Sequence, residues 1–192
     1  MGLARLVAEA VRALLRILNG ERAAVAGLGA GSRAGWIASF VVPGVLLVPI
    51  YAWMVLRRHA DAGLVDAGAD VLAAEAIGYL VGWTAFPVIS HFICMKIGKA
   101  EDWFGYIAAY NWANILQMAF YVPAASLGSV DAMPPLPLFL VGVVAVVAAI
   151  AIHFRLARVV LGIEPLPALM LVAVDLATGQ TIARVVDRLN GL

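Results

Sequence analysis

The chain has 192 residues, 64% of them hydrophobic and only 13% charged, whereas an ordinary soluble domain is roughly a quarter charged. That composition argues against a water-soluble fold, and the near balance of 13 basic and 12 acidic residues removes the strongly basic face that a nucleic-acid binder would need. The single cysteine, Cys94, excludes an intramolecular disulfide framework and a cysteine-based metal site.

Residues 1–19 predict an amphipathic helix. Leu3, Leu6, Val7, Ala10, Val11, Leu14, Ile17 and Leu18 recur at helical spacing, with Arg5, Glu9, Arg12 and Arg16 on the opposite face. Those charges interrupt the continuous apolar core of a secretory signal, and Leu6 stands where a myristoylation motif wants Ser or Thr. The expectation is a helix lying on the cytoplasmic membrane surface, with Arg5, Arg12 and Arg16 toward anionic headgroups. The alternative is a helix packed on the bundle or on a partner. Residues 20–35 follow as a Gly-rich linker, in which Gly27, Gly29, Gly31 and Gly35 predict a flexible surface connection. It lacks the Lys-Ser/Thr ending of a phosphate loop.

Five hydrophobic segments occupy residues 36–186. The first, Trp36 to Leu56, is free of charge and long enough to cross a hydrocarbon core of about 30 Å at about 1.5 Å per residue, with kinks expected at Pro43 and Pro49. The second, Val71 to Met95, carries Glu75, the small pair Gly78 and Gly82, Pro87 and His91. The third starts at Trp103 behind Asp102, a candidate N-cap, and runs to Ala125; it is the most polar, with Asn111, Asn114 and Gln117 on one broad side. The fourth, Leu136 to Phe154, is almost unbroken Val, Ala, Leu and Ile after Pro134, Pro135 and Pro137. The fifth, Leu166 to Val186, is diluted by Asp175, Thr178, Gln180 and Thr181 and reads either as a span or as a buried half-span; residues 187–192 form a short tail. The fold class is therefore an all-α integral membrane bundle of about five spans plus the N-terminal helix.

With five spans and a cytoplasmic N-terminus, Arg5, Arg12, Arg16, Arg22, Arg33, Lys96, Lys99, Arg155 and Arg158 fall on the cytoplasmic side, nine of the 13 basic residues. Asp61, Asp66 and Asp70 dilute the basic residues of the first outer loop. The positive-inside rule then places the C-terminus outside. Four spans would concentrate the charge still more strongly on one side, but segment lengths favour five. Heavy use of Ala, Val, Leu, Gly and Arg with two lysines points to a GC-rich bacterial genome, and so to a bacterial cytoplasmic membrane.

A charge at the bilayer centre costs roughly 2.5–3.5 kcal/mol on insertion scales, so each polar group there needs a partner or a wet cavity. Asn114 and Asp175 lie at similar depth, which predicts that the third and fifth spans touch, with Asp175 accepting from Asn111 or Asn114 and Thr178 or Gln117 completing a midplane cluster. Such amides commonly hold membrane helices together; they can also form the midplane pocket of a transporter. His91 and His153 fall in one leaflet, but two histidines without a third ligand fall short of a metal site. Glu75 is expected to reach headgroup water. Ser90 directly precedes His91 and points to another side of its helix, so no serine dyad forms. No catalytic residue, metal or cofactor is expected, and the chain reads as a non-enzyme.

The hydropathy of Trp36 to Val186, after a more polar N-terminal part, resembles the Yip1-type family of small five-span membrane proteins. The stretch Tyr106 to Gln117, YIAAYNWANILQ, is similar to uncharacterised alphaproteobacterial integral membrane proteins. Yip1 resemblance implies a membrane-organising or adaptor role through helix contacts, without a cofactor; the short N-terminus departs from the longer cytosolic region of eukaryotic members. The first functional expectation is thus a membrane scaffold or accessory subunit whose partners are the lipid bilayer and other membrane proteins or itself. The alternative is a small transporter or channel component using Asn111, Asn114, Gln117, Asp175 and Thr178.

Overall fold

A computed structural model describes residues 2–63, 68–127 and 134–191; Asp66, invoked above for the first outer loop, lies outside them. Among the described residues all regular structure is helical, in the order α1 (Leu3–Leu18), a 3₁₀ segment (Arg22–Leu28), α2 (Arg33–Asp61), α3 (Ala69–Lys96), α4 (Trp103–Leu127), α5 (Pro135–Val160) and α6 (Pro165–Leu189). Four of these, α2, α3, α5 and α6, are long and apolar enough to cross a membrane. The fifth predicted segment, which sequence left open as a half-span, is among them, whereas α4 is not.

The reason lies in what surrounds α4. It packs against α5 and α2, more lightly on α3, and at its start on α1 and the 3₁₀ segment. Tyr106, Ile107, Ala108, Ala109, Asn111, Trp112 and Ala113 are all buried. A helix sheathed by apolar neighbours need not be apolar itself, so α4 carries the amides and aromatic hydroxyls while its neighbours present Val, Leu and Ile outward. Val144 and Val147 of α5 and Leu166 and Met170 of α6 are exposed accordingly.

The helices alternate in direction. The end of α2, the start of α3 and the end of α6 meet at one end of the bundle through Arg58, Glu75, Asp187 and Asn190. The start of α4 and the end of α5 meet α1 and the 3₁₀ segment at the other, here called the capped end. There Ala10, Ala13, Leu14 and Ile17 of α1 join Ala24, Leu28, Tyr106, Ile107, Ala157 and Leu161 in one apolar core. The apolar face of α1 is therefore spent on the bundle, the alternative of the two sequence readings. Its arginines point outward: Arg5 pairs with Glu9 at 2.8 Å and Arg16 with Glu21 at 2.7 Å. Arg22 of the 3₁₀ segment pairs with Asp102, and the Arg155 Nε donates to the Leu18 carbonyl at 3.0 Å.

Residues 20–35 are not the loose connection that the glycines suggested. Ala24 and Leu28 are buried, Gly29 takes a left-handed φ of 72°, and the Ser32 Oγ caps α2 by accepting from the Gly35 amide at 3.1 Å. Gly29 and Gly35 touch backbone to backbone, and a Cβ on Gly35 would sit 2.2 Å from the Gly29 carbonyl oxygen. The glycines serve close approach. α2 continues through Pro43 and Pro49 without a break in the helix.

Candidate functional site

Half-way along the bundle, three helices contribute to one chain of polar side chains. The Tyr110 hydroxyl of α4 donates to Asp175 Oδ1 of α6 at 2.7 Å. Asp175 Oδ2 lies 2.9 Å from Nδ1 of His153 on α5, and His153 Nε2 lies 2.5 Å from the Gln117 side-chain nitrogen of α4. The Tyr110 and His153 rings are 4.6 Å apart and inclined by 31°. His153 and Gln117 are buried and Asp175 nearly so. Helical geometry explains the convergence: Tyr110 and Gln117 are seven residues apart, two turns along one face of α4, while His153 and Asp175 sit opposite it. The cluster lies roughly 10–20 Å above the capped end, at about 1.5 Å per residue.

A carboxylate that accepts from a phenol and an imidazole is stabilised by two donors, and this removes much of the cost of burying it. An ionised carboxylate only accepts, so its partner at Nδ1 is an N–H; the Gln117 nitrogen on the other side is a donor, which a ring with a lone pair on Nε2 would accept.

Of the predicted cluster, the structure brings Gln117 and Asp175 into this network; Asn114 lies beside it, sharing a cavity wall with Tyr110, while Asn111 and Thr178 stand apart. Asp175 bonds neither Asn111 nor Asn114. Thr178 turns its hydroxyl to its own backbone, donating to the Val174 carbonyl at 2.7 Å. Asn111 is 0% exposed with neither amide atom partnered. α4 and α6 meet through the Tyr110 side chain and not by close packing; α6 lies on α3 and α5. Two residues escaped the sequence reading. Tyr110 precedes Asn114 by one turn and Gln117 by two, a signal that was present. His153 was placed at a membrane edge because the fourth segment was ended at Phe154, whereas α5 runs on to Val160. His91 does not approach this site in any described contact; its ring packs 4.6 Å from Trp103. Among the described residues, no three His, Cys, Asp or Glu side chains gather as a metal site would require. The Ser90 hydroxyl is engaged, donating to the Pro87 carbonyl and accepting from the Trp103 indole.

Glu75 corrects a second expectation. It does not reach outward; it is 3% exposed and accepts from the Tyr51 hydroxyl at 2.8 Å, the Asn190 amide at 2.8 Å and the Arg58 guanidinium. Arg58 also lies 2.8 Å from Asp187. This network ties α2, α3 and α6 together at the far end.

Two clefts lie between the helices near these networks. A cavity of about 240 Å³ lies among α2, α3 and α4, with Tyr110, Asn114, Tyr51, Tyr79, Gly82 and Trp83 in its wall. A second, of about 260 Å³, shares Tyr51, Tyr79, Gly82 and Trp83 with it and extends to Arg58 and Val186. Gly82 leaves room there, since nothing lies within 4 Å of where its Cβ would be, whereas Gly78, one turn earlier, lies against Val186 of α6.

No family model, no curated protein and no solved structure matches the chain.

Proposed function

We propose that this chain is a small carrier or channel component of a bacterial cytoplasmic membrane, with α2, α3, α5 and α6 crossing the bilayer around α4 as a shielded fifth span. Its solute or ion site is the cavity wall formed by Tyr110 and Asn114, behind which Tyr110 joins the chain of Asp175, His153 and Gln117. One observation carries the reading: adjoining cavities, with walls in common, run from Arg58 at the far end to Tyr110 and Asn114. The inner one has space for on the order of eight waters at about 30 Å³ each. Transporters place their sites near the midplane, where irregular or polar surface lines a cavity. The opposite end is closed by α1 and the 3₁₀ segment, so access is one-sided. The basic residues at the capped end assign it to the cytoplasm by the positive-inside rule.

The test is labelling by a membrane-impermeant thiol reagent of single cysteines at positions 82 and 114 in a Cys94→Ser background, in sealed membranes of known orientation. Labelling of both positions from the far side, without prior denaturation, is expected. Protection at both positions until detergent denaturation overturns the carrier reading.

A second reading, the non-enzymatic scaffold or accessory subunit implied by Yip1 resemblance, draws support from the sealed packing around Asn111. It requires the protection result above, together with recovery of a stoichiometric membrane partner or homo-oligomer after mild solubilisation.

A further inference from the structure

The His153 environment has a property that a structural amide contact lacks. In the neutral state Nδ1–H is directed to Asp175 Oδ2 and the Nε2 lone pair accepts from the Gln117 amide, at 2.9 Å and 2.5 Å. A proton arriving at Nε2 would leave two donors, the new N–H and the Gln117 NH₂, facing each other. The conflict has one local remedy: a half-turn of the Gln117 amide, which puts its carbonyl oxygen where the NH₂ stood. Imidazolium then donates to Gln117 on one side and to the Asp175 carboxylate on the other, and the buried charge is paired.

We propose that His153 reversibly binds one proton within the membrane and that Gln117 switches its amide orientation with each proton taken up or released. This deepens the carrier reading, and rests on it, by naming the proton as a species the site handles. In the protonation step a hydronium gives its proton to the Nε2 lone pair and becomes water; release reverses the step, and no other bond is made or broken. Asp175 remains a carboxylate throughout, held by Tyr110 from the other side at 2.7 Å.

The groups facing His153 suit this role. From α4 come Gln117 and the Tyr110 ring, and from α6 comes Asp175. Tyr106 stands behind Tyr110, with ring centroids 6.5 Å apart. The arginines of α1 and the 3₁₀ segment, which pack on the end of α5, turn to the surface; Arg16 pairs with Glu21 and Arg22 with Asp102.

The experiment is ¹⁵N NMR of the full chain in lipid nanodiscs, with histidine rings and glutamine amides labelled, titrated from pH 5 to 8. His153 is assigned by the signal that survives in both His59→Gln and His91→Gln, so His153 itself stays in place. Expected at high pH is an Nδ1–H tautomer; as pH falls, the Nε2 signal collapses onto the N–H position while the Gln117 amide moves with the same midpoint. An Nε2–H tautomer at high pH, a His153 ring that stays neutral to pH 5, or a Gln117 amide indifferent to the titration would overturn the proposal. These signals need no transported solute, so their failure removes the proton site alone, whereas protection of positions 82 and 114 from thiol reagent removes the carrier reading.

Discussion

Glu75 offers the sharpest energetic test, because two substitutions of similar volume separate its charge from its hydrogen bonds. In Glu75→Gln the side-chain oxygen can occupy the position that accepts from Asn190 and Arg58, and the NH₂ can donate to a rotated Tyr51 hydroxyl. The contacts survive and the charge does not. Hydrogen bonds to charged groups are worth about 1.5–3 kcal/mol against about 0.5–1.5 for neutral ones. Arg58, 38% exposed, is screened by solvent and counts for less than the other two, so the expected loss is about 2 kcal/mol. Glu75→Leu instead strands the Tyr51 hydroxyl and the Asn190 amide in a buried site. Arg58 keeps Asp187 at 2.8 Å, so the loss falls at the lower end of the ~3–5 kcal/mol typical of a broken buried pair. Reversible SDS-induced unfolding in mixed micelles measures both. A Leu variant as stable as the Gln variant, or both within about 0.5 kcal/mol of wild type, would refute a buried Glu75 tying three helices together.

Other outcomes follow from packing. Gly35→Ala drives a methyl group into the Gly29 carbonyl, a backbone atom that cannot swing away, and should cost about 1–3 kcal/mol by the same unfolding assay. Within α3, Gly82→Ala meets open space and should gain about 0.5–1 kcal/mol from helix propensity, while Gly78→Ala, 2.5 Å from a Val186 methyl, should lose that gain or more; equal effects at the two positions would contradict the α3–α6 contact. Leu14→Ala, at a fully buried site, should cost about 2–5 kcal/mol and raise protease cleavage in the Arg22–Leu28 segment, whereas the outward-facing Arg12→Gln should do neither.

Helix content and limits were largely legible. An apolar run of twenty residues has few alternatives to a helix, and the predicted start of the third segment at Trp103 and of the fifth at Leu166 fall within one residue of α4 and α6. What could not be read was which polar residues meet. Asp175 and Tyr110 are 65 positions apart, and matching depth led to the expectation that Asp175 accepts from Asn111 or Asn114, whereas its partner on α4 is Tyr110. Choice depends on helix rotation, which a three-residue spacing leaves open because Asn111, Asn114 and Gln117 spread over a wide arc. Glu75 was misplaced for a different reason. Depth alone puts it near an interface, but its opposite charge, Arg58, stands across one loop beside Tyr51 on α2, and its third partner, Asn190, comes from the far end of the chain, which was read as a flanking tail.

The position of α1 has a consequence for synthesis. Its apolar face is complete once Leu18 has left the ribosome, yet the surfaces that receive it extend to Leu161, more than 140 residues later. At about 5–20 residues per second, the nascent helix waits on the order of ten seconds with Leu14 and Ile17 unsheltered. Until α4 and α5 have been made, that face has no partner within the chain. Seating of α1 is therefore a late step of assembly, and the first helix to be synthesised is among the last to find its place.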